Sequence, residues 1–309
     1  MTEHNTVADK TALGHFAAFI TIFIWGTTFI STKVLLNAFT PIEILFIRFV
    51  IGYLALWLAM PRRLALRKRR QERYFVAAGL CGVTLYYLLE NIALTYTLAS
   101  NVGVIISIAP FFTAIFGCLF LGGERPGPRF FLGFAMAMGG ICLISFGNEA
   151  ALSINPLGDL LAVGAAVIWA VYSTLTKKIS GFGYPTIQTT RRTFFYGVLF
   201  MIPVLAAVGF QAEAAALADM TNLLNLIYLG LGASALCFVT WNFAVRVLGA
   251  VKTSVYIYMV PVITTLCSAL ILHEQITPAT VCGIVLTLAG LFLSEKRSAG
   301  KPAKSPVLE

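Results

Sequence analysis

The chain has 309 residues, of which 59% are apolar and only 11% charged, and its mean hydropathy is +0.86. A soluble domain carries about 25% charge, so this chain cannot clothe itself in polar surface, which excludes the ordinary soluble enzyme and leaves a membrane as its solvent. The net charge of +9 is not a nucleic-acid footprint. Seven of the 22 basic residues (Arg62, Arg63, Arg67, Lys68, Arg69, Arg70 and Arg73) sit in one short loop between two apolar runs, where they signal topology.

The short polar N-terminus, containing Glu3 and Asp9, leads into an apolar run with no small-residue cleavage site after it, so it reads as a retained helix. A bilayer crossing takes about 20 mostly apolar residues. Ten such runs follow, near 16–36, 42–60, 74–95, 100–121, 129–147, 157–178, 187–209, 222–245, 251–271 and 278–294. Thr40-Pro41-Ile42-Glu43 predicts a capped start with Pro at the first helical position and Glu placed for a capping box. Asn155-Pro156 and Thr277-Pro278 repeat the cap-then-Pro signal. Six cysteines lie singly inside apolar segments, and His4, His15 and His273 form no metal spacing.

Basic residues follow helices 2, 4, 6 and 8 and fill the tail, whereas the alternate loops are bare or carry Glu149, Glu213, Asp219 and Glu274. Positive-inside counting therefore predicts both termini in the cytoplasm of a multi-pass protein.

The chain also repeats itself. Trp25, Thr32, Lys33, Pro41 and Arg48 return, 144 residues later, as Trp169, Thr176, Lys177, Pro185 and Arg192. Asn91 and Pro110 return as Asn242 and Pro261, and Glu124, Gly133 and Gly140 as Glu274, Gly283 and Gly290. A repeat of this kind sets the architecture. Five helices is an odd number, so the second copy enters from the opposite side and the halves are inverted. The expected divisions are residues 1–147, residues 148–296 and a basic cytoplasmic tail, 297–309.

Trp25-Gly26-Thr27-Thr28-Phe29 with Lys33 and Arg48-Phe49, the run Ala93 to Asn101, and Pro110 through Leu121-Gly122-Gly123-Glu124-Arg125 together resemble EamA-type members of the drug/metabolite transporter superfamily. His273-Glu274 with Gly283 and Gly290 echo the last of these, and the likeness covers about residues 15–294. The resemblance implies an all-α integral membrane bundle of ten helices, two inverted five-helix repeats around a central cavity, that exports or exchanges metabolites. Among bacterial members it is most similar to amino-acid exporters of the YddG kind. The second half departs from the pattern, with Ala170-Val171-Tyr172 where the first has Gly26-Thr27-Thr28.

Trp25 and Trp169 fall near the middle of their crossings, as do Pro110 and Pro261, which become hinge or gate candidates because Pro removes a helical hydrogen bond. Tyr86, Tyr87, Tyr172, Trp241, Tyr256 and Tyr258 gather at similar levels and are candidate cavity rings, suited to apolar side chains and to an ammonium group. Asn91 and Asn242 are candidates beside them. Glu90 is a carboxylate at membrane depth, where charge is expensive. It either pairs with Arg48 or faces the pathway to bind an ammonium or carry a proton. Lys33 with Arg48, and Lys177 with Arg192, are gate contacts or snorkelling topology markers. The Gly pairs on helices 5 and 10 suit close packing and would also serve a homodimer.

No P-loop, HExxH or nucleophile elbow occurs, so no catalytic residue, cofactor or metal is assigned. The expectation is a secondary carrier exporting aromatic or other neutral amino acids across the inner membrane by alternating access. The alternatives are a carrier of drugs or of another small metabolite, and an intramembrane enzyme or receptor.

Overall fold

The computed structural model describes residues 2–96, 99–122, 126–146, 155–272 and 277–295. Among these, the long helices in chain order are α1 (Thr2–Leu35), α2 (Pro41–Ala59), α3 (Arg69–Tyr96), α4 (Val102–Leu121), α5 (Pro128–Phe146), α6 (Pro156–Ser180), α7 (Thr186–Val208), α8 (Met220–Leu248), α9 (Ala250–Cys267) and α10 (Pro278–Glu295). Among the described residues eight are long and apolar enough to cross a bilayer, and α5 and α10 carry apolar stretches over Pro128–Ile144 and Pro278–Ser294. Eight of the ten apolar runs expected from sequence thus correspond to helices of membrane length. The expected Glu124–Glu274 correspondence, Arg125, His273, Glu149 and the basic tail fall outside the described residues.

The helix starts follow the cap chemistry. The Thr40 backbone N–H and hydroxyl both donate to Glu43 Oε2 at 2.8 Å. Asn155 Oδ1 accepts from the N–H groups of Leu157 and Gly158 at 3.2 Å each, and Thr277 Oγ1 accepts from Thr280 N–H at 3.2 Å. Each side chain satisfies donors that the first helical turn leaves open.

Packing follows a regular scheme. α1 lies on α8 and α9, while α6 lies on α3 and α4; α2 lies on α7 and α8, while α7 lies on α2 and α3. Exchanging each helix with the one five places along leaves this scheme unchanged. α5 and α10 pair with each other, and their backbones touch. A Cβ on Gly133 would meet the Gly290 carbonyl at 2.6 Å, and one on Gly140 would meet the Gly283 carbonyl at 2.5 Å. The earlier glycine of α5 therefore faces the later one of α10, so the two helices run antiparallel.

Two helices contain π turns, at Leu80–Leu85 in α3 and Tyr228–Leu236 in α8, at matching places in the two halves. A π turn inserts an extra residue into a helix and commonly marks a functional site. Two others are interrupted beside a proline. α4 loosens into a turn at Ser107 and Ile108 just before Pro110, and α9 tightens into a 3-10 turn at Val255–Tyr258 just before Pro261. Large apolar side chains such as Leu58, Phe120, Leu160 and Phe292 remain exposed around the outside, as a bundle bathed in lipid requires.

Candidate functional site

A narrow cavity of about 40 Å³ opens between the halves, lined by Trp25, Thr28 and Phe29 of α1, Tyr86, Tyr87 and Glu90 of α3, Gly103, Ile106 and Ser107 of α4, Trp169 of α6, and Ile257 and Val260 of α9. Small-molecule sites have apolar walls and a few placed polar groups, and the lining of this one has that character. The helix interruptions shape it. Pro110 and Pro261 cannot donate to the carbonyls four residues earlier, and those residues, Ile106 and Ile257, are cavity residues in both halves.

The floor is a cluster of rings. Trp25 meets Trp169 edge-on with centroids 5.2 Å apart, and Trp241 at 5.2 Å; Trp169 also touches Tyr86 at 4.7 Å and Tyr172 at 5.1 Å. Phe238 fills the space between Trp25, Trp169 and Phe49. Close ring pairs of this geometry are worth about 0.5–1.5 kcal/mol each beyond burial, so the floor is rigid. Trp25 Nε1 donates to the Ala233 carbonyl at 3.0 Å, inside the π turn of α8. The indole N–H groups of Trp169 and Trp241 have no protein partner.

Glu90 is 7% exposed, and its Oε2 has no hydrogen-bond partner. The Arg48–Glu90 ion pair, one of the two readings of the sequence, does not form. Arg48 instead donates from Nε to Ser234 Oγ at 2.9 Å and lies over the Tyr87 ring at 4.7 Å. Glu90 therefore presents an unpaired Oε2 to an aromatic cavity, with Tyr86 and Tyr87 edge-on at 4.7 Å beside it. The carboxylate interacts with the Tyr86 hydroxyl and with the charge of Arg48, yet a buried carboxylate oxygen without a hydrogen bond is costly. A bound cation would relieve that cost.

The other candidates are distributed differently. Tyr172 lies beneath the floor and donates to Asn242 Oδ1 at 2.9 Å, while Asn242 Nδ2 donates to Thr190 Oγ1 at 2.9 Å. Asn91 sits behind the cavity, reaching the Pro41 carbonyl at 3.4 Å. Tyr256 bonds His15 Nδ1 at 2.6 Å, and Tyr258 is fully buried; neither lines the cavity, where Ile257 between them does. Residues two apart on a helix do not share a face, and in the 3-10 turn Val255–Tyr258 the cavity residue is the one between them. Lys177 Nζ donates to the carbonyls of Val245 and Arg246 at 3.4 and 3.2 Å, closing the end of α8, and Arg192 pairs with Glu72. Lys33 stays exposed.

Residues the sequence did not single out complete the site. Thr28 and Phe29 follow Trp25 by one helical turn, Phe238 precedes Trp241 by one, and Ile106 and Ile257 precede the prolines by four. Those spacings were available as a signal. Among the described residues, no group of three or more His, Cys, Asp or Glu side chains could ligate a metal.

A second, smaller cavity lies beyond the floor, toward the end of the bundle that carries the basic loop. Tyr184 marks that end, since its hydroxyl donates to Gln71 Oε1 at 2.6 Å and accepts from Arg67 N–H at 2.7 Å.

The EamA-like transporter family matches this chain twice, at residues 12–146 and 156–295. A protein named "Uncharacterized transporter" from Archaeoglobus fulgidus is 30% identical over 91% of this chain and 96% of its own length. One named "Probable terminal-alkyne amino-acid exporter" from Streptantibioticus cattleyicolor is 27% identical over 92% of this chain and 94% of its own length. A solved structure, described only as a crystal structure of a protein, shares the fold with a TM-score of 0.73 at 20% identity, covering 93% of this chain and 96% of that one. With an all-helical bundle, eight membrane-length helices and a cavity enclosed between its halves, this chain belongs to the EamA-like transporter family of the drug/metabolite transporter superfamily and is a multi-pass membrane transporter of small molecules.

Proposed function

We propose that this transporter is a secondary carrier exporting amino acids, aromatic or other neutral ones, and related metabolites across the bacterial inner membrane by alternating access. The observation that carries the reading is Glu90, a buried carboxylate whose Oε2 has no partner, in a cavity walled by Trp25, Trp169, Tyr86 and Tyr87. A carboxylate and ring faces together attract an ammonium group, and the apolar wall suits an apolar side chain. The Streptantibioticus relative, named a probable terminal-alkyne amino-acid exporter, supports the same substrate class.

In this reading the halves, residues 1–147 and 148–296, are inverted copies related by an axis in the membrane plane. The antiparallel α5–α10 pair and the exchange-invariant packing scheme support that arrangement. α5 and α10 complete the ten crossings. The basic residues at one end of the bundle put both termini and residues 297–309 in the cytoplasm. The halves rock about the interruptions at Pro110 and Pro261, and a single chain suffices, although a homodimer through lipid-facing helices is compatible with it.

The test is flux from proteoliposomes loaded with a panel of labelled amino acids, with and without a proton gradient. Saturable efflux of neutral amino acids, lost in Trp169→Ala, is expected. Absence of efflux across the panel, with efflux of amphipathic cationic drugs in its place, would replace this reading by the second one that an aromatic cavity with a carboxylate favours.

A further inference from the structure

The second cavity differs in chemistry from the first. Thr176, Ser180, Thr189 and Thr193 line it, together with Asn242 and Arg246, whose Nη1 donates to the Tyr184 carbonyl at 3.3 Å. The cavity holds no carboxylate. Between the two cavities stands the ring floor, yet one helix face connects them without a break. Trp169, Ser173, Thr176 and Ser180 fall at i, i+4, i+7 and i+11 of α6, a single stripe. Trp169 lines the first cavity, and Thr176 and Ser180 line the second.

Among the described residues, three of the eight buried side-chain polar atoms without a protein partner lie in the connecting section. Ser173 Oγ, Trp169 Nε1 and Trp241 Nε1 are all buried without a protein partner, on side chains that are 0%, 2% and 0% exposed. Buried donors without partners are rare and costly. Three of them in the one section that separates two cavities have a common explanation if that section is wet, or occupied by solute, in another state of the molecule. The section is latched by the Tyr172–Asn242–Thr190 chain of hydrogen bonds. Asn242 belongs to this latch and to the second cavity alike, and Tyr172 packs on Trp169.

We propose that the second cavity is a further solute station on the cytoplasmic side, which takes the carboxylate of the solute on Arg246 and Asn242, and that the α6 stripe is the track joining it to the Glu90 cavity. The donors of the stripe then pass a carboxylate from one station to the other, while Glu90 serves the ammonium end. This rests on the export reading for the identity of the solute, but the track itself does not.

The test uses the full-length protein in inside-out and right-side-out vesicles, reacted with a membrane-impermeant maleimide. Ser173→Cys and Ser180→Cys are compared with Ala170→Cys, which is buried on α6 but off the stripe, and with the parent chain and its native cysteines. Ser180→Cys and Ser173→Cys are expected to label from the cytoplasmic side at least tenfold faster than Ala170→Cys. Leucine in the millimolar range is expected to protect Ser180→Cys, whereas isoamylamine, which lacks the carboxylate, does not, and Arg246→Gln abolishes the protection while Arg246→Lys retains part of it. Labelling of Ser173→Cys no faster than Ala170→Cys overturns the track. Equal protection by leucine and isoamylamine, or protection that survives Arg246→Gln, overturns the carboxylate station. Failure of the export reading shows separately, as absence of leucine efflux from proteoliposomes in which the Ser173→Cys labelling pattern is intact.

Discussion

Trp25 donates its indole N–H to the carbonyl of Ala233 at 3.0 Å, whereas its repeat mate Trp169 has no such acceptor. The two rings themselves touch edge-on at 5.2 Å. One tryptophan is thus fastened to the opposite half and the other is not, although both occupy the same place in their repeats. Trp25→Phe keeps a ring but loses the bond, and is expected to cost about 1 kcal/mol of stability while shifting cytoplasmic accessibility of the floor. Thermal unfolding in detergent, with Ser173→Cys labelling in the same variant, checks both.

Glu90→Gln keeps the shape of the cavity and removes its charge. Loss of one ammonium–carboxylate contact is expected to raise the KM for neutral amino acids at least tenfold, equivalent to about 1.4 kcal/mol. The pH dependence follows from the same contact. Protonating a carboxylate removes its attraction for an ammonium group, so flux through the parent protein falls toward acid pH. Glu90→Gln abolishes that dependence. Initial rates between pH 5 and 8 in both proteins decide it, and an unchanged profile in Glu90→Gln would remove Glu90 from the pathway.

Pro110→Ala and Pro261→Ala restore a backbone donor four residues after Ile106 and Ile257. The helices are expected to straighten and stiffen, which lowers kcat several-fold with KM little changed. A rise in KM with kcat intact would instead make the prolines shapers of the binding wall, to be read from concentration series of flux.

Gly140→Leu places a side chain where the Gly283 carbonyl lies 2.5 Å from even the first added carbon. Overpacking of this kind costs about 1–3 kcal/mol or more, and here the obstacle is backbone that cannot turn aside. The expected result is a lowered unfolding temperature and poor recovery from the membrane, with Leu143→Ala on the exposed side of α5 as the unaffected comparison.

Arg192 pairs with Glu72 and also donates to the Leu64 carbonyl at 3.0 Å. Arg191 holds the Met60 and Arg62 carbonyls, and Gln188 reaches Arg62 as well. The loop between α2 and α3 is therefore tied to α7 through its backbone. Since the ion pair is partly exposed, Glu72→Gln is expected to cost about 1 kcal/mol or less. Arg192→Ala is expected to cost more, because a backbone acceptor loses its donor too. Unfolding midpoints of the two variants and of the double variant measure the difference.

Much of this was legible in the sequence because it rests on local rules. The apolar runs, the caps at Thr40, Asn155 and Thr277, and the prolines are read from chemistry within a few residues. The meeting of Trp25 with Trp169 was legible because the repeat pairs them. What escaped depends on departures from α-helical geometry and on long-range partners. Tyr256 and Tyr258 looked like cavity rings by their depth, but residues two apart do not share a helix face, and in the 3-10 turn over Val255–Tyr258 it is Ile257 between them that lines the cavity. The π turns at Leu80–Leu85 and Tyr228–Leu236 have no signature in residue type. Arg48 looked like a partner for Glu90 on depth alone, yet Ser234, 186 residues away, takes its Nε.

The contact of α5 with α10 has a consequence for how the two copies can drift apart. At Gly140 and Gly283 each backbone is the wall that denies a side chain to the other, so neither position can change first and no compensating change at its mate can make room. Elsewhere the copies have parted freely, as Thr28 and Tyr172 show. The seam is thereby held to glycine in both copies, while matching positions at and beneath the cavity are free to differ.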